Sequence, residues 1–169
     1  EDIQAAIDSL PEAGGCVCLK VGEHEIEAPI RIEQSHVSLH GETVGARVVR
    51  KNGTELLHIG HPDGLLLEHV TVTGLSFLLR TKVQQGQGLQ AMIAIDRCRD
   101  ATIERSVLHA QVLNQVAGLV VSRSTDVRVM NCVVDNVQYG LWTLADSMGL
   151  VIVGNNFDAA NKRQSDGGL

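Results

Sequence analysis

Aromatic side chains are nearly missing from this chain: Phe77, Phe157, Tyr139 and Trp142 are the only four in 169 residues. A core with so few rings has to be filled by stacked aliphatic side chains, which suits Val- and Ile-rich strands better than a helical bundle. Basic charge is also short. Fourteen Lys and Arg face twenty Asp and Glu for a net charge of −6, and no Lys/Arg stripe gathers anywhere, so a nucleic-acid-binding role lacks its electrostatic footprint. No apolar run approaches the roughly 18 residues that span a bilayer, so no membrane partner is expected. No basic-plus-apolar leader stands at the start, and the opening EDIQAAIDSL reads as a mature product or an excised piece of a longer chain. The four cysteines offer neither a disulfide framework nor a zinc site. Cys16 and Cys18 lie two apart on an expected strand, Cys98 and Cys132 fall at different positions of the repeat described next, and buried free thiols are expected.

What the chain does have is repetition. The segment VRVMNCVVDN at 127–136 shares its shape with ATIERSVLHA upstream and LVIVGNNFDA downstream. Aligning these segments puts Leu39, Val72, Ile103, Val129 and Ile152 in one inward column, with spacings of 33, 31, 26 and 23 residues. A period of this size marks a solenoid, and its drift implies that strands are kept while loops shorten. The last three units read alike. MIAIDRC, GLVVSRS and GLWTLAD supply one strand; ATIER, VRVMN and LVIVG follow a polar turn; a bend at Arg105, Asn131 or Gly154 leads to a third run ending in Leu108, Val134 or Phe157. Three short strands per unit describe the coil of a parallel β-helix, in which each coil buries its alternate residues against the next. Asn and Gly suit a sharp bend because both tolerate left-handed backbone, whereas Arg105 does not fit that rule. At the other end, Ile3, Ala6, Ile7 and Leu10 share one helical face before Pro11 and Gly14-Gly15, which predicts a short helix capping the stack.

DIQAAIDSLPEAGGCVCLKVG, SHVSLHGE and the Val/Ile-x-Asn repeats resemble the right-handed parallel β-helix proteins of the pectate/pectin-lyase-like superfamily. The resemblance covers essentially all of residues 1–169 as a single domain, and implies a right-handed helix of about five coils and an extracellular or cell-surface setting. That superfamily hosts lyases, hydrolases, epimerases, phage tail fibres and non-catalytic modules, so the fold does not choose among them. Its catalytic signatures are not matched. Ser124–Asp126 is the nearest approach to the polygalacturonase Asn-Thr-Asp and reads as a turn motif; His61–Asp63 reverses the epimerase Asp-Pro-His; nothing matches the acids and base of pectate lyases.

Three polar groups remain. His58, His61 and His69 with Asp63 include metal-ligand types, but their spacing over strand and turns does not imply convergence. His36, His69, Asp100 and Asp126 align at the turn before the second strand, as a polar turn ladder. One residue beyond the inward Leu108, Val134 and Phe157, the outward position holds His109, Asp135 and Asp158 in consecutive coils, about 4.8 Å apart by ordinary strand spacing. Two carboxylates that close repel and raise one pKa, which is how acid/base pairs arise, and the His can share a proton. Tyr139 and Trp142 follow one turn beyond Asp135, and rings beside carboxylates suit a sugar ring. The sequence therefore predicts a module that binds a polysaccharide or a partner subunit on this ridge, with no metal or cofactor. The alternative is a polysaccharide lyase, epimerase or hydrolase using His109, Asp135 and Asp158. Apolar outward positions in the later coils (Val120, Trp142, Met130, Val151 and Val153) and an uncovered final coil predict self-association or a longer parent chain.

Overall fold

The computed structural model describes residues 2–80, 90–144 and 146–159. Its strands are all parallel, because each returns to its face only after a full turn of the chain around the core. Three faces result. The first stacks Gly15–Leu19, Val37–Gly41, Thr71–Thr73, Thr102–Glu104, Arg128–Met130 and Val151–Val153 in that order. The second stacks Gly22–Ile26, Ala46–Arg50, Ser76–Leu79, the openings of Val107–Ser122 and Val133–Thr143, and Asn156–Ala159. Ile30–Ile32, Leu57–Ile59, Ala91–Asp96 and the closing halves of the same two long strands make the third. The result is a β-helix of about five turns.

The inward column stands as the spacing predicts, and it starts one coil earlier, at Val17. The register runs Val17, Leu39, Val72, Ile103, Val129, Ile152 without a slip. Leu39, Val72 and Ile103 are fully buried, whereas Ile152, on the last described rung, is 45% exposed. A second column, Val48, Phe77, Leu108, Val134 and Phe157, faces it from the second face. Each fully buried aliphatic contributes about 1.5–3 kcal/mol, so the stack is held by repetition of one modest contact.

The third run of one unit and the first run of the next are not separate strands in the later coils. They fuse into Val107–Ser122 and Val133–Thr143, which bend without breaking through register shifts after His109 and after Asp135. The other corners are made by left-handed residues in vertical rows. Gly14, His36, His69, Asp100, Asp126 and Gly149 form one row, and Gly74, Arg105, Asn131 and Gly154 form another, all at positive φ. Arg105 therefore occupies the bend despite its side chain, at φ 47°.

The helix Ile3–Asp8 is shorter than the sequence suggests, closing at Ser9 rather than at Pro11. Asp2 caps it by accepting from the Gln4 amide, and Ile3 and Ile7, one turn apart, bury against the first coil. The Gln4 side chain accepts from Arg31 N at 2.7 Å and donates to Arg31 O at 3.1 Å, so an amide satisfies the free edge of Ile30–Ile32. No helix among the described residues is long and apolar enough to cross a membrane. Cysteine placement departs from expectation. Cys98 and Cys132 are buried, and burial pushes the Cys98 thiol up to about 12, but Cys16 and Cys18 are exposed. Strand alternation explains this: Val17 and Leu19 take the inward positions of that strand, which turns Cys16 and Cys18 outward.

Candidate functional site

His109, Asp135 and Asp158 do occupy one outward column of the second face, as register partners in successive coils. Their inward neighbours Leu108, Val134 and Phe157 fix this, because alternation along a strand turns the next residue to solvent. The structure binds the column differently from the carboxylate pair that the sequence suggests. Asp135 Oδ2 lies 2.8 Å from His109 Nδ1, with both side chains about one third exposed. Among the described residues Asp158 bonds to no side chain. The column thus holds an imidazole–carboxylate pair, with Asp158 as the register partner of Asp135 in the next coil. An ionised carboxylate only accepts, so His109 Nδ1 donates in this contact, and in the neutral imidazole the acceptor is then Nε2.

The aromatic residues lie around the corner. Asn136, at φ 57°, starts the bend after Asp135, and the strand then runs on to the third face. Tyr139 is the register partner of Ala117 and Trp142 of Val120. The rings meet at 4.4 Å between centroids with an interplanar angle of 80°. The two rings differ in how much of each solvent can reach. Trp142 is 36% exposed, while Tyr139 packs on the buried outward cluster of Ala91, Ala117 and Val120. Trp142 is therefore the more open ring, and Tyr139 the one anchored on the apolar cluster. Val120, expected to be exposed, is covered by this packing and is 8% exposed. Tyr139 lies four residues beyond Asp135, at most about 13 Å along an extended strand.

The other polar groups resolve into corner and pairing roles. His58 and His69 do not converge: His58 pairs with Glu55 at 2.8 Å and His69 with Asp100 at 2.7 Å. No cluster of three or more His, Cys, Asp or Glu able to hold a metal ion occurs among the described residues. In the turn ladder His36 and His69 stack at 5.1 Å, and the hydrogen bonds of Arg128 and then His69 hold the Asp100 carboxyl below its usual value. Ser124 Oγ donates to Ser122 O and accepts from Cys98 N, so the Ser124–Asp126 segment is a turn motif. The missed feature is Asp96, which takes Ser122 Oγ at 2.5 Å and a two-pronged Arg123. Only the register that puts Asp96 beside Ser122 reveals it.

No protein-family model matches the chain, and no curated protein matches it in sequence. Solved structures do. A candidate glycosyl hydrolase from Parabacteroides merdae is similar over 92% of this chain and 88% of its own, at 14% identity and a TM-score of 0.55. ORF18 of Geobacillus virus E2 is similar over 90% of this chain, at 15% identity and a TM-score of 0.61. This chain has a parallel β-helix fold. At such identities the likeness is one of fold alone. The β-helix matches only 38% of the length of the viral protein.

Proposed function

We propose that this β-helix binds a polysaccharide along the ridge formed by His109, Asp135, Asp158, Tyr139 and Trp142. The observation that carries the reading is the exposed Trp142 ring, packed nearly perpendicular to Tyr139 and reached from the hydrogen-bonded His109–Asp135 pair around a single bend. A sugar ring lies on an aromatic face, and its hydroxyls bond to carboxylate and imidazole. The run around a corner suits a polymer better than one small ligand. Acidic side chains on the ridge disfavour phosphate, which supports a glycan over a nucleic acid. A glycan array with wild type, Trp142→Ala and Asp135→Asn tests this, each protein checked for folding by thermal melt. Retained binding in both folded variants removes the ridge.

A second reading is favoured by one contact. An imidazole oriented through Nδ1 by Asp135 has the arrangement of a general base at Nε2, which a polysaccharide lyase or epimerase needs to remove a proton beside a carboxylate. A hydrolase would instead use Asp135 and Asp158 as its two carboxylates. Incubation with uronate-rich and neutral glycans, followed by reducing-end and unsaturated-product assays, separates enzyme from binding module. Turnover that is lost in Asp135→Asn while binding persists selects the enzyme.

A further inference from the structure

The exposed cysteines lie away from the ridge, on the outward side of the first face. Cys16 and Cys18 alternate with the inward Val17 and Leu19, and His40 of the next coil is the register partner of Cys18. The His40 ring reaches diagonally instead: its Nδ1 is 3.0 Å from Cys16 Sγ. Two thiols of the same strand and face, both open to solvent, thus differ in one respect, since Cys16 has an imidazole at hydrogen-bond distance. Beside them lies a groove of about 590 Å³ between the N-terminal helix and the first strand, lined by Asp2, Ser9, Cys16, Cys18 and Lys20. We propose that Cys16 is a nucleophilic thiol, with His40 as its base, that takes up small disulfides as a mixed disulfide.

The chemistry balances within the groups present. The Cys16 proton passes to His40 Nδ1 as sulfur attacks one sulfur of R–S–S–R. The Cys16–S–S–R bond forms, the original S–S bond breaks, and the departing RS⁻ takes the proton from the imidazolium as RSH. The groove gives the retained R group a place to lie. Cys18 does not resolve the product. Side chains two apart on a strand stand about 6.6 Å apart, beyond the Cβ separation of about 3.5–4.5 Å that a disulfide accepts, so the mixed disulfide persists. Cys98 and Cys132 are interior and their thiols are pushed up by burial, which keeps them unreactive in the folded protein.

The test uses the whole folded chain with hydroxyethyl disulfide, a neutral probe, at pH 7, with each cysteine followed by mass spectrometry over time. Cys16 is expected to gain the adduct at least about tenfold faster than Cys18, with Cys98 and Cys132 unmodified. His40→Asn should bring Cys16 down to the Cys18 rate and leave Cys18 unchanged. Equal rates in the wild type overturn the proposal even if the variant does not fold. A Cys16 rate that His40→Asn leaves intact also overturns it, as does conversion of the adduct into a Cys16–Cys18 disulfide.

Discussion

Arg105 holds a left-handed conformation that costs a residue with a side chain about 1–2 kcal/mol, and its contacts to Thr73 and Glu104 are long, at 3.4 and 3.6 Å. Arg105→Gly should therefore stabilise the fold by about 0.5–1 kcal/mol, after the extra entropy of a glycine in the unfolded chain. A lowered melting midpoint would contradict the corner. Asp96 gives a second prediction. Partial burial alone raises its pKa, but hydrogen bonds from Arg123 and Ser122 and the charges of Arg123 and Arg97 outweigh this and hold it below its ordinary value. Asp100 is lowered too, by Arg128 and His69. With folded values below unfolded ones, the stabilisation is complete above the unfolded carboxylate pKa of about 3.9 and is lost as pH falls through the folded values. Urea midpoints should decline below about pH 4, and less steeply in the Asp96→Asn/Asp100→Asn variant. At neutral pH Asp96→Asn alone should cost about 1 kcal/mol.

In the closing halves of the two long strands, Gly118 and Gly140 sit where a side chain has no room. A Cβ on Gly140 would stand 2.4 Å from Phe157 Cδ1, and one on Gly118 would stand 2.3 Å from Val134 Cγ1. Gly140→Ala should destabilise by about 1–3 kcal/mol. In a cycle with Phe157→Ala, whose ring supplies the clash, the two changes should couple by at least about 1 kcal/mol. Simple additivity would mean that Gly140 does not face Phe157. These elements also show what the sequence reveals. The Leu39-to-Ile152 column is legible because Val and Ile recur at a spacing set by one coil. Its first rung is hidden among the N-terminal strands, although Val17 stands only 22 residues before Leu39. With it went the neighbourhood of Cys16 and His40, which depends on pairing between those two strands. The His109–Asp135–Asp158 column is legible from alternation, but its bonding is not. Which of two neighbours an Asp joins depends on rotamers, and period carries no rotamer information.

At the scale of the whole molecule, the two ends differ. The first coil is closed by the helix and by the Gln4 amide on Arg31, whereas the last described coil leaves Val151, Ile152 and Val153 exposed at 41%, 45% and 59%. An exposed apolar rung on the last described strand of the first face is a surface on which a second copy can pair. Sedimentation velocity should show a monomer–dimer equilibrium that Ile152→Lys shifts to monomer; a concentration-independent monomer in the wild type would contradict it. The central claim is the glycan ridge, and the composition supplies its probe. Trp142 is the only tryptophan in the chain, so intrinsic fluorescence excited at the indole band reports on the ridge alone. Titration with acidic and neutral polysaccharides should give a saturable change in Trp142 emission for at least one of them, weakened at least about tenfold in Asp135→Asn. Emission that stays constant while the same polysaccharide binds by an independent assay would place the binding surface elsewhere and contradict the account.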